Sequence, residues 1–294
     1  MKRAIALFLL IALLFSLTGC MTAEEKQARK EALDILNGNV EEIYSLSTGT
    51  TVGQQTLLEY DDILIELAGL RGTPTAPELV LAIRNGSRST IGINIDHLSI
   101  NDWQVSGWCS LYEIEARTVT LAVIECSDSL SLCGVEDIGS IDLGLSIYDT
   151  GSYDTLAAAS VCLSTSAPAD LDWSYVPAGK VLLENEEWRV SAVYFPVTTD
   201  QGSVTLCVEN DSARQISVTT THVRLNGEPI EFWFWYDVYA GERRLSTEWL
   251  YDEDTFDPLP ISPGDELTFD LEISDYDTGV TLTTQSITLS PDDL

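Results

Sequence analysis

Positive charge is what this chain has least of. Its 294 residues carry 15 lysines and arginines against 47 aspartates and glutamates, a formal net charge of −32. A field of that sign repels nucleic-acid phosphates and anionic headgroups, so nucleic acid is excluded as a partner. Histidine is scarcer still: His97 and His222 are the two in the chain. A general base needs an orienting partner and a nucleophile within reach, and a metal centre needs several ligands. Neither histidine has such a cluster beside it in sequence. There is no CxxC or CxxH spacing for zinc, no Gly-x-Ser-x-Gly elbow, no P-loop and no Gly-rich dinucleotide loop. With none of these present, the sequence gives no carrier for catalysis, a metal or a cofactor, and the expectation is a protein that binds and does not catalyse.

What is present begins at the N-terminus. Met1-Lys2-Arg3 is basic, Ala4 to Leu17 is an almost unbroken apolar run, and Leu17-Thr18-Gly19-Cys20 follows. That is the layout of a secretion signal, with an apolar stretch too short to span a bilayer comfortably. Leu-Thr-Gly-Cys resembles the lipobox of bacterial lipoproteins. The resemblance implies that residues 1–19 are removed and that Cys20 is acylated and becomes the new N-terminus. The chain is then held by lipid on the extracellular face of the cell membrane. A hydrophobic content of 45% and seven tryptophans argue for packed cores. The acidic surface serves solubility, with attraction of cations or basic partners as the sharper alternative.

Secretion permits disulfides. Besides Cys20 the chain has Cys109, Cys126, Cys133, Cys162 and Cys207, an odd number. The first four could form two bridges in three connectivities, and a monomer keeps at least one thiol.

The sequence repeats itself. Leu57-Leu58-Glu59-Tyr60-Asp61-Asp62-Ile63 returns 125 residues later as Leu182-Leu183-Glu184-Asn185-Glu186-Glu187-Trp188. At the same offset Leu81, Asn85, Ser87, Ile91, His97 and Asn101 meet Leu206, Asn210, Ser212, Ile216, His222 and Asn226. Tyr148-Asp149-Thr150-Gly151 meets Tyr276-Asp277-Thr278-Gly279 at an offset of 128, which fits one loop of different length. A repeat this long predicts a duplicated domain.

Each copy has the period of a β-strand. Leu79, Leu81 and Ile83 alternate with more polar neighbours, as do Val204, Leu206 and Val208. Asn85-Gly86 and Asn210-Asp211 then signal turns. In the next strand the apolar parity shifts at residues 96–97 and again at 221–222, which predicts a β-bulge in each copy. Asn101-Asp102 and Asn226-Gly227 predict hairpin turns. Further strands are expected at residues 118–124, 140–148, 157–163, 268–274 and 282–289. One helix is expected, from Ala23 to Leu36, stopped by Asn37-Gly38-Asn39. Residues 164–179, rich in Ser, Ala, Pro and Asp, suggest a linker.

The repeated unit resembles the tandem immunoglobulin-like domains of Gram-positive surface lipoproteins, families of unknown function among them. Val208-Glu209-Asn210-Asp211-Ser212, the strand Ile216–Leu225, Asn226-Gly227 and Ala240-Gly241-Glu242-Arg243 carry the likeness. The first copy departs at Glu115-Ala116-Arg117, which lacks the glycine. The fold expected is all-β: an anchor and helical spacer over residues 20–50, then two immunoglobulin-like sandwiches over 51–165 and 176–294. The resemblance carries over no catalytic residue.

Three features compete as sites. The histidines read as inherited structural residues, with an enzyme pairing His222 with an acid of Asp252–Asp257 as the alternative. The acidic residues Asp252-Glu253-Asp254, Asp257, Asp275 and Asp277 could hold calcium, but they lack the spaced loop that calcium needs and read as turns. Most informative is Phe232-Trp233-Phe234-Trp235-Tyr236. In a strand one alternate set enters the core. The other is expected to be covered by the linker or the first domain; if exposed, Trp233 and Trp235 could stack on sugar rings or bury a protein partner. The functional expectation is a lipid-anchored binding or display protein, with a glycan- or cell-wall-binding module and a structural docking subunit as alternatives.

Overall fold

The computed structural model describes residues 22–39, 44–126 and 128–294. The expected signal segment and Cys20 lie outside the described residues. Helix α1 (Ala23–Leu36) starts at a capping box. The Thr22 hydroxyl accepts from the Glu25 N–H at 3.1 Å, and the Glu25 carboxylate accepts from the Thr22 N–H at 2.6 Å. The helix is no free spacer, which corrects the expectation for residues 20–50. Ala32 and Ile35 are buried against Ala68, Val80 and Ala82, because the i, i+3 stripe of this short helix finds an apolar sheet face beside it.

The N-terminal half supplies β1 (Gln55–Tyr60), β2 (Ile63–Thr73), β3 (Ala76–Asn85), β4 (Ile91–Ile100) and β5 (Trp103–Gln104). It continues with β6 (Gly107–Cys109), β7 (Glu113–Ile114), β8 (Thr118–Cys126), β9 (Ser140–Asp149) and β10 (Thr155–Ser164). The C-terminal half supplies β11 (Lys180–Glu184), β12 (Trp188–Tyr194), β13 (Ser203–Asn210), β14 (Ile216–Leu225) and β15 (Glu228–Glu231). Then come β16 (Trp235–Val238), β17 (Arg243–Trp249), β18 (Tyr251–Asp252), β19 (Leu267–Asp275) and β20 (Thr281–Leu289).

These strands form an all-β, sandwich-like arrangement of three sheets. The first runs β1-β2-β3-β8-β6. The second runs β10-β9-β4-β5-β17-β13-β12-β11, with β7 beside β4. The third runs β18-β15-β14-β19-β20, with β16 beside β14. One core lies between the first sheet and β4 and β9, built from Ile65, Leu81, Ile83, Ile93 and Leu145. The other lies between the third sheet and β12 and β13, built from Val190, Leu206, Val218, Leu271 and Ile273.

The middle sheet therefore belongs to both halves. The hairpin turn at Asn101 (φ 50°) and Asp102 (φ 63°) presents β5, which pairs in parallel with β17 through Trp103↔Arg243 and Gln104↔Arg244. Cys207 and Leu245, from the C-terminal half, are buried in the core of the N-terminal half. The expected linker is a packed strap. The Arg243 guanidinium donates to the Trp173 carbonyl at 3.2 Å and the Tyr175 carbonyl at 3.4 Å. The Trp173 ring lies so close to Gly139 that a Cβ there would meet it at 2.2 Å, which only glycine avoids.

Both bulges are present: the β4–β9 register slips between Ile95 and His97, and β14–β19 slips between Thr221 and Arg224. The two-bridge arrangement is not formed. Cys109, Cys126, Cys162 and Cys207 are free thiols, held on strands or in the core by sheet register.

Candidate functional site: an aromatic groove on the C-terminal half

The aromatic run splits as a strand-like segment must. Phe232 and Phe234 point inward and are buried, Phe232 against Phe269 with centroids 6.2 Å apart. Trp233 and Trp235 point outward and are 69% and 72% exposed. The expected cover is absent because the strap packs at the junction of the halves, against Gly139 and Arg243.

Trp233 does not stand alone. Pairing of β15 with β18, through Ile230↔Asp252 and Glu231↔Tyr251, brings a second segment beside it. The end of β17 leads into that segment. Together Glu231, Trp233, Glu248, Trp249, Tyr251 and Phe256 line an open groove of about 340 Å³. Trp249 and Phe256 are each about half exposed, and the Phe256 ring sits 6.3 Å from that of Trp233. Trp235 stands outside the groove lining.

Phe256 reaches the groove from an unusual backbone. Its φ of 57° lies in the left-handed region, where a bulky side chain costs of order 1–3 kcal/mol. The turn before it holds that conformation. The Asp252 carboxylate accepts from the N–H groups of Asp254 at 3.1 Å and Thr255 at 2.9 Å, and from the Thr255 hydroxyl at 3.0 Å. Those bonds from Thr255 hold the Asp252 carboxyl below its ordinary range. The acidic cluster is thus a turn that aims an aromatic ring. Asp275 plays the same part for Thr278, and Asp149 for Gly151 and Ser152. Among the described residues no group of three or more His, Cys, Asp or Glu is placed to hold a metal ion.

Glu248 anchors the wall on the inner side. It accepts hydrogen bonds from the Tyr236 hydroxyl and from the Ser246 hydroxyl, the latter at 3.2 Å. Burial first, and Glu248 second, raise the Tyr236 phenol above its ordinary pKa.

The histidines lie elsewhere, and their surroundings differ. His97 Nε2 meets Glu242 Oε1 at 2.9 Å, with both side chains largely buried, and its ring packs on Tyr239 at 4.2 Å. This pair ties the N-terminal half to the C-terminal half. His222 is exposed and pairs with Asp270 at 3.0 Å. It is therefore not brought to Asp252–Asp257, and the alternative enzyme pairing is not formed.

Trp233 and Trp235 were visible in sequence as part of a run of aromatics. Trp249, Tyr251 and Phe256 were not, because they lie 13 or more residues beyond the run, next to the acidic residues Asp252–Asp257. The available signal was Trp249 and Tyr251 flanking Leu250, a buried residue that fixes their outward direction.

No protein-family model and no curated protein matches the chain. Solved structures similar to it include a beta-glucuronidase of Bacteroides uniformis, 12% identical with a TM-score of 0.26 over 73% of this chain and 26% of that one. The chain thus spans about a quarter of the glucuronidase's length. The N-terminal periplasmic domain of ScsB from Proteus mirabilis is 14% identical, with a TM-score of 0.22 over 82% of this chain and 98% of that one. Scores this low carry no argument about activity. Among the described residues no helix is long and apolar enough to cross a membrane.

Proposed function

We propose that this chain is a surface-displayed binding protein, tethered through lipid on Cys20, that holds a glycan in the groove of its C-terminal half. The observation that carries the reading is convergence. Trp233, Trp249, Tyr251 and Phe256 come from two stretches of chain, 231–233 and 248–256, and share one open cleft with two carboxylates. Flat apolar rings offer stacking faces, and Glu231 and Glu248 offer acceptors for hydroxyl groups, the mixture that sites for small polar ligands use. Exposed aromatics gathered on one face are costly unless a ligand or partner covers them. The two carboxylates and the net charge favour neutral or amino sugars over acidic ones. A binding rather than a catalytic role is supported by the commitment of His97 to Glu242 and His222 to Asp270, both outside the groove.

The test is binding of the full-length chain to a panel of neutral and amino-sugar glycans and to isolated cell wall, beside a Trp233→Ala, Trp249→Ala double variant. Saturable binding that falls at least about tenfold in a variant with unchanged unfolding supports the reading. Binding to nothing in the panel, or equal binding by the variant, removes it.

A further inference from the structure

On the inner side of Glu248 lies a second cavity, of about 480 Å³, where the two halves meet. Gln104 and Ser106 line it from the N-terminal half, beside the apolar side chain of Leu132. Tyr236, Arg244 and Leu245 line it from the C-terminal half. The two-residue strand β5 ends at Gln104, so β17 runs on past it with that edge open to the cavity.

Arg244 is the unusual group. It is half-buried, and its guanidinium lies 4.2 Å from the centroid of the Tyr236 ring. Among the described residues its guanidinium makes no hydrogen bond and no ion pair, although the chain has three acids for every base. Other basic residues near carboxylates pair with them: Arg71 with Glu78, Arg214 with Glu187 and Asp275, Lys180 with Asp293. Asp237 and Glu248 act on Arg244 through space without reaching it. Burial is the stronger influence and lowers its pKa. The Tyr236 ring holds the guanidinium over its face and leaves the N–H donors unengaged.

Two further donors accompany it. The Gln104 side-chain oxygen accepts from the Tyr239 N–H at 3.4 Å, which leaves its amide nitrogen unengaged. Among the described residues the Ser106 hydroxyl has no hydrogen-bond partner. A planar, oriented guanidinium with neutral donors beside it is the arrangement that receives an oxyanion through paired N–H···O bonds. The surrounding charge then selects among oxyanions. One positive charge inside a strongly acidic protein tolerates a single negative charge and resists a second.

We infer that this cavity binds the carboxylate of a small monoanionic ligand, with Arg244 as its principal contact and Gln104 and Ser106 as supporting donors. The site is separate from the aromatic groove and stands whether or not that groove binds glycan. Such a carboxylate could belong to a peptide C-terminus or to a sugar acid, and paired probes distinguish them.

The full-length chain, uniformly labelled with nitrogen-15, is titrated while the arginine Nε–Hε resonances are followed. The probes are N-acetyl-Ala-Ala against its C-terminal amide, a hexuronate against the corresponding neutral hexose, and methyl phosphate as the dianion. Saturable shifts of the Arg244 signal by at least one acid, and by neither neutral twin, are expected. Arg244→Gln should weaken that acid at least about tenfold with thermal unfolding unchanged, and Arg244→Lys should recover part of the loss. Equal response to an acid and its neutral twin, or no response to either acid at millimolar concentration, overturns the inference; both readings use the unmutated chain. Tighter binding of methyl phosphate than of either acid overturns the monoanionic assignment.

Discussion

The two halves share their buried polar chemistry and differ in their exposed aromatics. Asn85 and Asn210 are both buried at the end of a strand. The Asn85 amide donates to the carbonyls of Ser89, Ile114 and Glu115, and its oxygen accepts from the N–H and hydroxyl of Ser87. The Asn210 amide donates to the carbonyls of Arg214, Val238 and Tyr239, and its oxygen accepts from the N–H and hydroxyl of Ser212. The knot ties backbone groups of two chain segments together at one buried place, so neither half can lose it cheaply. Nothing of the kind constrains the outside. The N-terminal half has an exposed pair, Trp108 and Tyr112, 6.2 Å apart, where the C-terminal half has a groove. The two halves are alike in what is buried at these strand ends and unlike in what they offer to solvent.

The sharpest way to break that comparison is to cut the knots. Asn210→Ala removes one donor from each of three carbonyls and leaves the Ser212 N–H and hydroxyl without their acceptor, and should cost about 3 kcal/mol, measured by chemical unfolding. Asn85→Ala should cost about the same. A loss under about 1 kcal/mol in either would mean that the two knots are not equivalent. Because β5 and β17 join the sheets, each substitution should move one shared transition. Two separable transitions would show that the halves fold independently.

The histidines give the next contrast. His97→Ala leaves Glu242 buried without its partner across the halves and should cost roughly 1–3 kcal/mol. His222→Ala removes an exposed pair and should change stability by less than about 0.5 kcal/mol. Equal losses would mean that exposure does not decide the worth of these pairs.

The smallest effect concerns thiols, where no stability change is involved. Burial pushes Cys126, Cys133 and Cys207 up to about 12, so each stays a protonated and unreactive thiol at neutral pH. Cys162 is exposed, although a hydrogen bond with Asp142 also raises it. Alkylation of the native chain, followed by mass spectrometry, should label Cys162 first and the buried thiols only after unfolding. Early labelling of Cys207 would mean that the junction between the halves opens readily.

Local codes carried much of this molecule. Period two in Leu79–Ile83 and Val204–Val208 marked strands, the parity shifts marked both bulges, and Asn37-Gly38-Asn39 marked the helix end. Each depends on neighbours a few residues apart, where backbone sterics and side-chain alternation act directly. Asn85 and Asn210 read as turns and proved to be buried knots, because the carbonyls that claim them lie about 30 residues further on. The helix read as a spacer and proved to be docked, because its apolar stripe says what it can bury but not what it meets.

By itself the sequence determined the all-β class, several of the strands and turns, and the acidic surface. Tertiary structure alone decided that Trp233 and Trp235 face out, and that Trp249, Tyr251 and Phe256 gather beside Trp233. It also decided that a two-residue pairing of β5 with β17 makes one sheet of two halves and leaves Arg244 unpaired in a cavity between them. The reason is physical: periodicity fixes which side of a strand is apolar, whereas long-range register is fixed only when distant segments compete to bury those sides together.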